Sequence, residues 1–166
     1  AKYQVPALSS WSLGKMEQGE EDKMVFKSYG RVKATGGSKQ LILVIRKGKS
    51  YEDGLTLIPI NYSQVKFPGG QYFMMNATSL EIGVEMGESK LTLKPLAYKM
   101  VKPKASRIMN GRKQVFVKSF YRVEGKFKPF YNSTWRLNDR ARTLVFFYHE
   151  PHQRRIRTHT IRNFTR

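Results

Sequence analysis

The stretch RTLVFFYHEPHQRRIRTHTIRNF, residues 142–164, decides the fold class. Residues 144–148 form an apolar run of the length of a buried strand, and residues 154–164 alternate between polar and apolar side chains. The segment HEPH between them contains Pro151 and is typical of a turn. An apolar run, a turn and an alternating run together predict an antiparallel β-hairpin. We therefore predict a core strand with a cationic partner strand, and not a disordered basic arm.

The rest of the chain repeats this pattern of short apolar or alternating runs separated by Gly, Pro, Asn and Asp. No amphipathic helix longer than about two turns is indicated. We predict an all-β fold, an antiparallel β-sandwich with immunoglobulin-like topology, about ten strands and minimal helix. Residues 1–22, with the acidic segment EQGEED, are predicted to be an irregular N-terminal lead to a single sandwich domain of residues 23–166. Residues 102–113 are predicted to be a loop.

Two runs, residues 41–45 and 144–148, are apolar at every position and predict strands that are covered on both faces. A two-layer sandwich covers only one face of each sheet. We therefore expect the lead, the loop at 102–113 or another subunit to cover the second face. If neither segment of the chain does so, the exposed patch predicts an assembly interface and self-association.

The net charge is +19, from 31 Lys and Arg against 12 Asp and Glu. Residues 1–83 carry 11 basic and 7 acidic side chains, whereas residues 84–166 carry 20 and 5. Such a balance favours polyanionic partners: an acidic protein, an anionic polysaccharide or nucleic acid.

The chain has no cysteine, which excludes disulfides and thiol chemistry. No apolar run has the length of a transmembrane segment. The first residue is Ala1 and not Met, which favours a mature form whose signal peptide has been removed. We expect a periplasmic, cell-envelope or secreted location, with the cytoplasm as the alternative.

No pattern of nucleophile and base, and no paired carboxylates in an aromatic setting, predicts catalysis, so we expect neither an enzyme nor a cofactor. His149 and His152 in HEPH are weak candidates for metal ligands, and solvated histidines in a turn are the favoured explanation. Four Asn-x-Ser/Thr sequons are explained by Asn and Thr at strand ends without a glycan: Asn61, Asn76, Asn132 and Asn163.

The cationic strand supplies the candidate binding site. Alternation places Arg155, Arg157 and His159 on one face, a row suited to phosphate or carboxylate groups. The wider set of candidate partner-binding residues is Arg142, Arg154, Arg155, Arg157, His159 and Arg162. The same charges would also protect an edge strand from aggregation. The aromatic residues fall inside apolar runs such as VFFY, FYNSTW and QYF, which indicates core and makes nucleic acid the less favoured partner.

The order PGGQYFMMNATSLEIGVEMGESKLTLKP, followed by STWRLNDRARTLVFFYHE, resembles uncharacterised envelope proteins of verrucomicrobial-type bacteria. The resemblance covers about residues 55–163. It implies an immunoglobulin-like β-sandwich without known enzymatic activity, and some proteins of that kind are encoded near type IV pilus genes. No functional residue is carried over by it.

These observations predict a non-enzymatic envelope or secreted module that acts in protein assembly or adhesion, with pilus association as its most specific form. Its basic C-terminal face would bind acidic partners. The alternative is a cytoplasmic nucleic-acid-binding protein that uses the same arginine face.

Overall fold

The computed structural model describes residues 8–36, 39–149 and 155–164. These residues contain thirteen β-strands and one turn of 3-10 helix, which confirms the all-β prediction. The chain divides into two compact units, Ala1–Lys66 and Phe67–Arg166. This differs from the single domain predicted over residues 23–166, because the strands of each unit form sheets only with strands of the same unit.

The first unit consists of two antiparallel strand pairs. Its elements are β1 (Ser10–Gln18), the 3-10 turn (Glu20–Asp22), β2 (Met24–Lys33), β3 (Gln40–Arg46) and β4 (Leu55–Asn61). The prediction of an irregular lead is wrong for residues 10–18, which pair with β2 from Ser10↔Lys33 to Gln18↔Met24. The acidic segment, residues 17–22, comprises the last two residues of β1 and the start of the connection to β2, which contains the 3-10 turn.

Close packing of β2 on β4 defines the centre of this unit. Leu55, Leu57 and Ile60 of β4 are buried. Gly30 of β2 lies so near that a Cβ placed there would be 2.8 Å from the Leu55 carbonyl oxygen. The prediction that residues 41–45 are covered on both faces is wrong, because β3 is an outer strand of a two-stranded sheet and Val44 is 42% exposed.

We expect Gly30→Val to lower the free energy of unfolding of the first unit by about 1–3 kcal/mol, because the added side chain forces the two strands apart. Urea unfolding followed by Trp11 fluorescence, in a Trp135→Phe background, measures this. Lys33→Val, an exposed site on the same strand, is the matched control and should change stability by less than about 0.5 kcal/mol. Equal stability of the two variants would contradict the close approach.

The second unit is a β-sandwich of two sheets. Its strands are β5 (Tyr72–Asn76), β6 (Ile82–Met86), β7 (Ser89–Leu93), β8 (Tyr98–Val101), β9 (Arg107–Met109), β10 (Arg112–Val123), β11 (Lys126–Arg136), β12 (Ala141–His149) and β13 (Ile156–Phe164). One sheet has the order β11-β10-β6-β7, with β9 paired to β10, and the other has the order β13-β12-β5-β8. All pairings in this unit are antiparallel except β12 with β5, which is parallel.

The two sheets bury a shared core between them. The five-stranded sheet contributes alternate residues of β6, β7 and β10, and the four-stranded sheet contributes alternate residues of β5 and β12 together with Ile156. Phe130 approaches Phe147 edge-on across this core, with ring centroids 6.1 Å apart. The sandwich layers are therefore as predicted, whereas the immunoglobulin-like topology stays a prediction.

The predicted hairpin over residues 142–164 is confirmed in its strands, since β12 and β13 pair from Ala141↔Phe164 to His149↔Ile156. Leu144, Phe146 and Phe147 are buried, so β12 is covered on both faces as expected. On the second face, Phe67 packs near Phe73 with ring centroids 6.4 Å apart. Among the described residues, no helix is long and apolar enough to cross a membrane.

Candidate functional site: the outer face of the five-stranded sheet

The arginine face predicted from the sequence is only partly assembled in the structure. Arg157 and His159 of β13 are exposed and lie on one face, opposite Tyr148 and Phe146 of β12. Arg155 is exposed and directly precedes the strand. The alternation within β13 is therefore as predicted.

Arg142 does not belong to an exposed face. It is 5% exposed, and its guanidinium carbon lies 6.0 Å from the centre of the Phe67 ring. The prediction that it contacts a partner is wrong, because its side chain, the second of β12, is buried against Phe67.

Arg162 lies on the other face of β13, opposite Thr143. Its Nη2 donates a hydrogen bond to the Arg136 carbonyl oxygen at 3.5 Å. Burial raises the pKa of the nearby Tyr72 hydroxyl, and the positive charge of Arg162 partly offsets that effect. Arg162 thus interacts with the edge of the core, and the structure does not join it to Arg157 and His159 in one patch.

Of the two candidate metal ligands, the structure describes only His149. His149 ends β12 and is half-buried, whereas His152 and Arg154 lie outside the described residues. Within the described part of the chain, no cluster of three or more metal-binding side chains is present.

A different surface combines aromatic and basic side chains: the outer face of the five-stranded sheet, called the outer face below. In β10, Val115, Val117 and Ser119 are buried toward the core. The intervening side chains point the opposite way because successive residues of a strand alternate. They are Phe116, Lys118, Phe120 and Arg122, of which Phe120 is half-buried and the others are exposed.

Two tight turns bring further residues to the outer face. Asn110 and Gly111 join β9 to β10 with φ of 49° and 70°, and Glu124 and Gly125 join β10 to β11 with φ of 50° and 75°. Two consecutive residues with positive φ are typical of type I′ hairpin turns. The predicted loop at 102–113 is therefore wrong for the residues of β9 and early β10.

These turns set aromatic rings beside cations. The Arg107 guanidinium lies 5.1 Å from the centre of the Phe116 ring, and its Nε donates to Gln114 Oε1 at 2.9 Å. The Arg122 guanidinium lies 5.8 Å from the centre of the Phe127 ring. Phe116 and Phe127 remain 46% exposed. Contacts of this kind at exposed sites contribute about 0.5–1 kcal/mol, so they favour the observed ring positions.

The outer face is predominantly positive. The strand registers assign six basic side chains to it: Lys90, Arg107, Arg112, Lys118, Arg122 and Arg136. The acidic side chain of these strands on the same face is Glu85, which pairs with Lys90 at 3.3 Å. Arg122 pairs with Glu81, just before β6, at 3.4 Å. Since these ion pairs are exposed, they contribute little to stability and can exchange for an anionic ligand.

A depression of about 550 Å³ interrupts the outer face at Gly83. Gly83 presents no side chain, and the Phe127 ring comes within 3.2 Å of the position of a Cβ. The depression is lined by Gly83, Val84, Glu85, Lys90, Leu91, Thr92, Lys99, Phe120 and Phe127. It therefore combines two aromatic walls with a cationic rim.

Sequence reasoning missed this surface because it assigned the aromatic residues to the core. The run QVFVKSF has apolar side chains at both alternating phases, so periodicity within the run does not say which face is buried. The dipeptide Asn110-Gly111 was the available signal, since Asn-Gly between alternating runs predicts a hairpin.

No protein-family model matches the chain, and no curated protein is significantly similar to it.

Proposed function

We propose that this protein is a non-enzymatic binding module for an anionic polymer, and that the polymer lies along the outer face. The observation that supports this proposal is the interleaving of exposed phenylalanines with cations on one sheet surface. Cations attract the polymer backbone over long range, and aromatic rings supply short-range contact once it has bound.

We propose that the protein acts in assembly or adhesion, with pilus association as the most specific form of this role. Its proposed location is the periplasm, the cell envelope or the outside of the cell. An acidic protein or an anionic polysaccharide would be the partner there. The net charge of +19 supports either one. Fractionation of the native source tests this setting, and recovery only in the cytoplasm would overturn it.

Nucleic acid is the second candidate partner, and the exposed rings of Phe116 and Phe127 favour it. Nucleic-acid-binding sheets present aromatic side chains on which unpaired bases stack, next to Lys and Arg that bind phosphates. This candidate fits a cytoplasmic protein, as the sequence also suggested, although the proposed contact surface is now the outer face.

The binding proposal predicts salt-dependent affinity for anionic polymers. We expect binding of heparin or of a labelled oligonucleotide to weaken at least tenfold between about 50 and 200 mM salt, as counterion release requires. Replacing Lys118 and Arg122 together with alanine should reduce the slope of log affinity against log salt by about one unit per residue. Fluorescence anisotropy titrations measure both quantities.

Two matched double variants locate the site. Arg31→Ala with Lys33→Ala removes the same charge from the first unit and should leave the slope nearly unchanged. Arg155→Ala with Arg157→Ala tests the β13 row predicted from the sequence. If only this second pair flattens the slope, the outer face is the wrong surface. Failure of the unmodified protein to bind any polymer at about 50 mM salt would refute the binding proposal itself.

A further inference from the structure

We infer that the depression above Gly83 is a subsite for one unpaired nucleobase of a single-stranded nucleic acid. This inference rests on the second candidate of the proposed function, a nucleic-acid partner, and names the ring that the site accepts. It uses the shape of the depression, the character of its walls and the charges at its rim.

The shape is set by the missing side chain of Gly83. This residue sits opposite Phe120 on β10 and Thr92 on β7. The Phe127 ring takes up part of the space that a side chain at this position would fill, since it comes within 3.2 Å of the position of a Cβ, and it thereby forms one wall of the depression. The depression of about 550 Å³ is large enough for an aromatic ligand group.

The walls favour a flat, apolar ring. Phe120 and Phe127 carry no hydroxyl or N–H group, so their rings offer stacking surface alone. They stand diagonally across β10 and β11, since Phe120 is opposite Pro129 and Phe127 is opposite Arg122. Both rings line the depression, so a planar group that enters it meets aromatic surface. Bases stack on aromatic rings of this kind.

The rim favours a phosphate backbone. Lys90 and Lys99 line the depression, and Lys118 extends from β10 next to Phe120. Lys90 already pairs with Glu85 at 3.3 Å, but its side chain is 77% exposed. Such a pair is easily replaced by contact with a phosphate. The ligand therefore combines a planar ring with a linked anion.

Single-stranded nucleic acid fits these features better than a duplex or a polysaccharide. In a duplex, the ring faces are stacked on one another and cannot reach the depression. Sugar hydroxyl groups both donate and accept hydrogen bonds, and the side-chain acceptors that line the depression are limited to Glu85, which already pairs with Lys90, and Thr92. Duplex DNA and heparin thus become controls that share the charge of the ligand and lack its exposed bases.

Gly83→Val tests the subsite without changing charge. Gly83 does not have positive φ, so the backbone accepts valine, and β-branched residues favour strands. The Cβ would lie 3.2 Å from Phe127 Cε1, which requires a ring movement of a few tenths of an ångström. We expect affinity for a thymidine oligonucleotide to fall about tenfold or more, with its salt slope retained. Affinity for heparin and duplex DNA should stay within about twofold, since neither uses the subsite.

Thr134→Val, on the outer face opposite Phe116, is the control for adding valine to the same sheet. Phe127→Ala is the second test variant, because its exposed ring can be removed without loss of the core. Quenching of a 2-aminopurine base placed in the oligonucleotide reports stacking directly, and both test variants should reduce it.

Equal affinity of Gly83→Val and the unmodified protein for the oligonucleotide would overturn the subsite while leaving polymer binding intact. Binding of heparin without binding of the oligonucleotide would also overturn it and identify a polysaccharide partner. If no polymer binds, the proposed function fails and the subsite fails with it.

Discussion

Phe147→Ala is expected to lower the free energy of unfolding of the second unit by about 3–5 kcal/mol, the usual range for removal of a large core side chain. Phe147 is fully buried in the shared core of the sandwich. Its ring meets the Phe130 ring edge-on at 6.1 Å. Alanine would lose this contact and leave a cavity that the two facing sheets cannot close without moving their backbones.

Urea unfolding followed by Trp135 fluorescence measures this effect in the second unit. Trp135 packs against Tyr72 with ring centroids 5.7 Å apart, and a Trp11→Phe background removes the signal of the first unit. The matched control is Phe164→Ala in the neighbouring strand β13, where the ring is 60% exposed. That variant should lose less than about 0.5 kcal/mol. Similar losses in the two variants would show that the Phe147 site is not tightly packed.

Asn76→Ala is expected to cost about 3–4 kcal/mol, because it removes a buried side chain that makes four hydrogen bonds. The Nδ2 group donates to the Leu80 carbonyl at 2.7 Å and to the Leu93 carbonyl at 2.9 Å. The Oδ1 atom accepts from the Thr78 backbone N–H at 2.9 Å and from the Thr78 hydroxyl at 2.7 Å. Alanine would leave these buried groups without partners.

Asn132→Ala is the control for this prediction, since Asn132 is exposed on the outer face and also begins an Asn-x-Thr sequon. We expect it to change stability by less than about 0.5 kcal/mol. Thr78→Ser keeps the hydroxyl and should retain most of the stability. A loss below about 1 kcal/mol for Asn76→Ala would mean that water replaces the lost hydrogen bonds at this site.

The Asn76 contacts also explain one of the four sequons. Asn76 ends β5, and its side chain closes the turn that leads to β6. The hydrogen bonds between Asn76 and Thr78 give both residues a structural role in this turn, and the absence of a glycan stays a prediction. In the folded chain, the buried Asn76 Nδ2 group donates hydrogen bonds to two backbone carbonyls.

The outer face and the core of the five-stranded sheet depend on the same strand. In β10, Val115 and Val117 pack into the sandwich, and Phe116 and Lys118 face solvent. A substitution that tests binding must therefore be made at a β10 residue whose side chain faces solvent. A substitution at the next residue would disturb the core, and the resulting loss of folding would look like a loss of binding. The Lys118 and Arg122 variants meet this requirement, and Gly83 faces the same side of the sheet from β6, opposite Phe120.

Local sequence was sufficient to predict the strand pair β12 and β13. Residues 142–164 contain an apolar run, the predicted turn with Pro151 and an alternating run. These local patterns predict two paired strands, because side-chain direction in a strand has a period of two. The same period of two predicts that Arg157 and His159 lie on one face of β13 and Arg162 on the other. Clusters of Gly, Pro, Asn and Asp likewise indicated an all-β fold, since these residues mark the turns between short strands.

Local sequence could not show which face of each strand is buried or which strands pair. Burial of Arg142 requires cover on both faces of β12, and the pairing of β1 with β2 depends on hydrogen bonds to residues that local patterns do not identify. The run QVFVKSF has apolar side chains on both faces of its strand. Only packing against the opposing sheet determines that the valines form the core and the phenylalanines face solvent. The candidate site arises from that choice, because Gly83, Phe120 and Phe127 come from three strands that meet only when the sheet has formed.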